Sequence, residues 1–328
     1  MYVPYAGNVS TIYIGTNANL VVGSQSANGR LSYRNYGEMV VSNLTATTAA
    51  GNDPPDIYVT YGQGTSSRSV FKFGTVTNAM TGSKTFRFAD TSEKGAAAEH
   101  VFYIGKGGIN YGDSSSATVY YLGRDTDGNY DTIRPWDSDF TIGARPGGGV
   151  GIRLLRDVEF CTDDESGTGR TITMDAITCA QNTPALTVSG SGTLKVNKEA
   201  QNSAQPPITL KGTATLEYAT ATATLGTGTV TLGAGTTFAF QNATAGGVLS
   251  LPSTIALPAT GTATLCINGE KLKLFDDHVI LASGATEDSV NRLTVIGDAI
   301  GEREPRLKVD GGKLILNVIP KGVTFLIL

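Results

Sequence analysis

Charged side chains are scarce in this chain of 328 residues. Only 16% are Asp, Glu, Lys or Arg, against a typical share of about 25%. With 25 Lys and Arg against 29 Asp and Glu the net charge is −4, so there is no general basic footprint for nucleic acid or an anionic membrane. Histidine occurs twice, at His100 and His278, and tryptophan once, at Trp136. The three cysteines, Cys161, Cys179 and Cys266, are an odd number without metal-type spacing. A Cys161–Cys179 bridge is open, but reduced thiols acting as small hydrophobes are the favoured reading. No run is long enough to span a bilayer, so membrane insertion is not expected. Met1-Tyr2-Val3-Pro4 shows no basic region followed by an apolar run, so an exported protein would here be a mature fragment or a piece of a larger chain.

What the chain has instead is repetition. At a step of twenty-two residues, one column reads Ile172, Leu194, Leu216 and Phe238, and two positions on another reads Met174, Val196, Tyr218 and Phe240. Val188, Leu210 and Leu232 form a third column. Thr187, Thr209, Thr231 and Thr171, Thr193, Thr215, Thr237 form threonine columns. A repeat this short cannot bury its own apolar face and must stack on its neighbours. Within each repeat apolar residues alternate with Thr, Lys or Glu, which is strand periodicity. Gly190, Gly192, Gly212, Gly233 and Gly235 supply turns. The pattern predicts an all-β chain folded as a parallel β-solenoid of the right-handed β-helix type, with rungs of about twenty-two residues. A β-sandwich is the competing architecture, but it has no reason to keep like residues in register.

Three zones are expected. Residues 1–150 carry a looser motif, apolar–any–apolar–Gly, at Ile12–Gly15, Val59–Gly62, Phe71–Gly74, Phe102–Gly105, Tyr120–Gly123 and Phe140–Gly143. It reads as irregular rungs with loop insertions and an N-terminal cap. Residues 151–300 read as regular solenoid. In residues 301–328, Asp310-Gly311 between two strand-like runs predicts a hairpin, and Val323–Leu328 reads as a last buried strand. Together they would cover the open end of the coil.

The stretch Gly190-Ser191-Gly192-Thr193-Leu194-Lys195-Val196, followed by Leu225-Gly226-Thr227-Gly228-Thr229-Val230-Thr231-Leu232, resembles the autotransporter-associated β-strand repeats of bacterial surface proteins. The match is good over roughly residues 185–245. The resemblance implies a β-helical passenger region and a location outside the cell or on the bacterial surface.

Candidate sites are few. Arg153, Arg156, Asp157, Glu159, Asp163, Asp164 and Glu165 form the one acid-rich cluster. Alternation sets Asp157 and Glu159 opposite Val158 and Phe160. Paired carboxylates about 5 to 9.5 Å apart could hydrolyse a glycoside, with Asp157, Glu159, Asp163 and Arg156 as the catalytic set. The plainer reading is a solvated strand edge and an acidic turn. Asp125, Asp127, Asn129 and Asp131 resemble the first half of a calcium loop. The closing glutamate of such a loop would fall at Trp136, so an Asp-Gly turn is the simpler account, and calcium is the only cofactor in view. Trp136 with Arg134, Tyr120, Tyr121 and Tyr130 could form an aromatic platform or core packing. His278 has no nucleophile partner in sequence. The leading functional reading is a non-enzymatic structural or adhesive solenoid, a stalk, adhesin, matrix or filament component, whose partners would be surface glycans or further copies of itself. The alternative is a polysaccharide lyase or glycoside hydrolase on the same scaffold.

Overall fold

The computed structural model describes residues 10–24, 29–30, 37–48, 57–58, 68–79, 86–87, 99–111, 120–122, 131–143, 152–154, 157–175, 177–179, 184–197, 206–220, 228–242 and 246–322. These form a parallel β-solenoid, with a single 3-10 turn at Glu287–Asn291 and no α-helix among the described residues. The calcium candidates Asp125, Asp127 and Asn129, the residue Arg156, and the segment Val323–Leu328 lie outside them. So do the side chains of Asp131 and Arg153.

The long strands Ser10–Ser24, Gly37–Thr48, Arg68–Ala79 and Glu99–Tyr111 lie in parallel, each paired with the next. The coil then changes. Two shorter strands, Asp131–Pro135 and Phe140–Ile142, both pair with Glu99–Tyr111, the first through His100 to Ile104 and the second through Ile109. From here two ladders run side by side. One continues through Val158–Cys161, Leu186–Ser189, Ile208–Leu210, Thr229–Thr231 and Thr254–Ala256. The other continues through Thr171–Met174, Thr193–Val196, Thr215–Tyr218, Thr237–Asn242, Ala263–Gly269 and Leu293–Ile296. A second parallel sheet is formed by the short strands Gly29–Arg30, Ile57–Tyr58, Phe86–Arg87, Tyr120–Leu122, Ile152–Leu154 and Ile177–Cys179.

The columns read from sequence are stacked partners. Ile172 pairs with Leu194, Leu194 with Leu216, and Leu216 with Phe238, and all four are fully buried. Burying a side chain of this size contributes about 1.5–3 kcal/mol. Thr171, Thr193, Thr215 and Thr237 pair in the same way and stay partly exposed. Their β-branched side chains suit the outward strand position. Beyond Phe238 the spacing lengthens, with Phe238 paired to Leu265 and Leu265 to Val295. The corners between the ladders need a left-handed backbone, found at Gly190 (φ 94°), Gly212 (φ 68°) and Gly235 (φ 82°). At Gly190 the need is also steric, since a Cβ there would lie 2.8 Å from the Asp163 backbone nitrogen.

The apolar–any–apolar–Gly motif does not mark one column. Phe71-Lys72-Phe73 pairs with Phe102-Tyr103-Ile104, but Tyr120–Leu122 lies in the second sheet and Phe140–Ile142 in the other ladder. The motif records only strand-type alternation, which several parts of a rung share.

At the C-terminal end, Glu304–Asp310 and Lys313–Ile319 form an antiparallel hairpin that also pairs with His278–Leu281. Gly311 and Gly312, at φ 55° and 76°, make its two-residue turn. Leu314, Leu316 and Val318 are fully buried and continuous with the solenoid core, so the hairpin extends that core. All three cysteines are free thiols. Cys266 stands in an outward column between Ala239 and Ile296.

Candidate functional site

The long strands place an outward row across successive rungs: Val40 pairs with Lys72, Lys72 with Tyr103, and Tyr103 with Arg134. Where the strand divides, the next corner is long. Thr162–Arg170 forms a tight loop closed by the bridge between Asp163 and Gly169, and it lies against this row. Lys72 Nζ is 2.6 Å from Glu165 Oε1 and also pairs with Glu38. The same ammonium sits 5.6 Å from the Tyr103 ring centre and 5.9 Å from that of Trp136, within cation–π range. Arg134 lies over the other side of this assembly, 5.3 Å from the Tyr103 ring. It donates from Nε to the Asp163 carbonyl at 3.1 Å and from a terminal nitrogen to the Asp164 carbonyl at 2.9 Å. The backbone N–H of Glu165 donates to the Trp136 carbonyl at 3.2 Å. The loop is thus tied to the strands by two cations and one backbone bond.

Inside the loop the Asp164 carboxylate, almost fully buried, accepts from Ser166 Oγ at 2.6 Å, from the backbone N–H groups of Ser166 and Thr168 at 2.9 Å each, and from Arg170 Nε at 2.8 Å. The Ser166 hydroxyl first, and then the Thr168 amide and Arg170, outweigh the burial penalty and hold its pKa well below the usual carboxylate range. Burial by itself would lower the pKa of Lys72, but the hydrogen bonds its ammonium donates to Glu165 and Glu38 prevail and raise it above the ordinary lysine value. Both groups are therefore pushed further into their charged forms.

Beside the loop a shallow pocket of about 330 Å³ is lined by Trp136, Asp137, Asp164, Glu165, Ser166 and Arg170. Trp136 is half-buried, and Asp137 and Glu165 are exposed. The Arg170 side chain engages Asp164 through Nε and is one-third exposed. The pocket thus brings together an indole surface, two rim carboxyl groups and a guanidinium edge.

No family model matches the chain, and no curated protein or solved structure is significantly similar to it.

The carboxylates that an enzyme on this scaffold would use lie as follows. Asp157 and Glu159 do alternate with buried Val158 and Phe160. The Asp157 carboxylate accepts from the Ala185 amide at 2.7 Å, and Glu159 accepts from Ser189 Oγ. Asp163 accepts from the amide and hydroxyl of Ser191, both at 2.7 Å. Each of the three carboxylates is bonded to the following rung, and none lines the pocket. Of the residues grouped with Trp136 in sequence, Arg134 is close by, whereas Tyr120 and Tyr121 belong to the second sheet. His278 is buried, with Nε2 3.1 Å from the Lys273 carbonyl. Among the described residues no three His, Cys, Asp or Glu side chains gather as a metal would need. Sequence reasoning missed Glu38, Lys72 and Tyr103. The signal was present in the aligned phrases Phe71-Lys72-Phe73 and Phe102-Tyr103-Ile104, whose central residues are the outward ones.

Proposed function

We propose that this chain is a non-enzymatic, extracellular or cell-surface β-solenoid that serves as a stalk, adhesin or matrix element, in the manner of the β-helical passenger regions it resembles in residues 185–245. The observation that carries the reading is that the carboxylates of the acid-rich cluster are taken up as ties within the coil. Acid–base catalysis near neutral pH needs a carboxyl raised or an amine lowered toward the working pH. Asp164 and Lys72 are displaced the opposite way. Asp157, Glu159 and Asp163 act as clamps between rungs, a structural use of carboxylates. The test is incubation with pectin, alginate and neutral β-glucans, with and without calcium, followed by assay of reducing ends and unsaturated products. No product is expected. Product release that disappears in an Asp157→Asn or Glu165→Gln variant would replace this reading with that of a carbohydrate-active enzyme.

A further inference from the structure

We propose that the Trp136 pocket binds a neutral saccharide, with one pyranose ring packed on the indole. This rests on the adhesive reading above and gives it a ligand class and an address. The argument runs by matching chemistry to the lining. Trp136 offers an electron-rich aromatic face, which suits the C–H face of a sugar ring. A sugar hydroxyl both donates and accepts, so it can be served by acceptors and donors together. Asp137 and Glu165 supply acceptors, while Arg170 supplies donors because Asp164 engages its Nε. The volume of about 330 Å³ suits one ring with its substituents.

Other ligand classes fit less well. An anionic sugar or a phosphate would meet Asp137 and Glu165 at the rim, and Lys72 is already shared between Glu38 and Glu165. A cation would meet Arg170, and the indole already has Lys72 at 5.9 Å. A purely apolar ligand would cover polar rim groups and cut them off from water. The site is also stiff: the Asp164 network holds the loop, and Lys72 and Arg134 hold the loop to the strands. A stiff shallow site loses little conformational entropy on binding, which favours useful if modest affinity.

Trp136 is the chain's only tryptophan, so its emission reports on this pocket alone. The full chain is titrated with cellohexaose, chitohexaose, mannohexaose and hexagalacturonate under selective tryptophan excitation, and binding is measured in parallel by calorimetry. The expected result is a saturable emission change with at least one neutral hexasaccharide, on the order of millimolar affinity. Affinity should fall about tenfold or more in Trp136→Ala and severalfold in Asp137→Asn, an exposed position whose replacement leaves the thermal transition in place. Hexagalacturonate should bind at least about tenfold more weakly than that neutral ligand. Emission and calorimetry that stay flat with every neutral hexasaccharide would overturn the proposal. So would neutral binding that persists unchanged in both variants, or tighter binding of hexagalacturonate. Reducing ends measured in the same tubes keep the two readings separate: their release refutes the non-enzymatic function, whereas a silent Trp136 refutes only the saccharide site.

Discussion

Removing one oxygen atom from the solenoid interior should make the protein more stable. Tyr218 stacks between Val196 and Phe240, is essentially fully buried, and meets the edge of Phe238 at 5.6 Å. Its hydroxyl is the only fully buried side-chain nitrogen or oxygen among the described residues without a hydrogen-bond partner. An unsatisfied buried polar group costs about 1–3 kcal/mol. Tyr218→Phe removes that cost and keeps the ring. The small void left by the oxygen, at about 24 cal/mol per Å³, takes back only a few tenths of a kcal/mol. The net expectation is a gain of about 1–2 kcal/mol, or a rise of a few degrees in the thermal midpoint. A repeat coil need not unfold in one step, so local hydrogen exchange of the Thr215–Tyr218 strand should accompany the melt.

The same substitution has a pH signature. Burial drives the Tyr218 phenol pKa well above its ordinary value, so the folded state keeps this proton where the unfolded chain, titrating near pH 10, has lost it. With fewer protons bound in the unfolded state than in the native state, stability falls as pH rises. The contribution is complete below about pH 10 and is lost above it. Tyr218→Phe should therefore show a stability advantage that widens above about pH 10. A variant destabilised by about 1 kcal/mol or more, with slower exchange in the wild type, would mean that the hydroxyl has a partner after all and would refute the reasoning.

Two further perturbations test the register and the loop. Leu216→Asp places an unpaired carboxylate at a fully buried position and should cost several kcal/mol, about 3–5. Thr215→Ala, one residue away on the outward face, should cost less than about 1 kcal/mol, and equal losses in chemical denaturation would contradict the observed facing. Asp164→Asn removes the charge that organises Thr162–Arg170 and should cost about 2 kcal/mol at neutral pH. Because the folded pKa of Asp164 is depressed, its contribution is present above the unfolded value near 3.9. It is lost as pH falls toward the folded value, so the wild-type advantage should shrink only below about pH 4 in acid titrations of stability.

How much could be read in advance depended on how far apart in sequence the partners lie and whether they look alike. Ile172, Leu194, Leu216 and Phe238 were legible because a parallel coil stacks like on like, so the pairing repeats as a column. Asp310–Lys313 was legible because a hairpin turn is local, and the turn residues are Gly311 and Gly312 at positive φ. The ion pair of Lys72 with Glu165 spans 93 positions and joins unlike residues, so no periodicity announces it. The drift from the Leu216–Phe238 step to the Phe238–Leu265 and Leu265–Val295 steps was hidden for a different reason. Corner length varies at little energetic cost on a surface, while the inward stacks do not. The apolar–any–apolar–Gly phrases misled because alternation states which residues point inward, not which of several strands in a rung they occupy.

That distinction also explains where the site arises. A regular solenoid face is a set of equivalent outward columns, such as Thr171, Thr193, Thr215 and Thr237, and equivalence leaves no concavity. A pocket needs a rung that differs from its neighbours. The strand Glu99–Tyr111 is followed by two strands in place of one, with Trp136 just after the first of them. The next corner, Thr162–Arg170, is longer than the corners at Gly190–Gly192, Lys211–Ala214 and Leu232–Thr236 above it. Of these four corners only this one is long enough to fold its own hydrogen-bonded loop and reach back over the preceding rungs, and the basic side chains Lys72 and Arg134 stand where it lands. The indole is flanked because the coil changes cross-section there, and the ionised groups around it are the ties that hold the change in place.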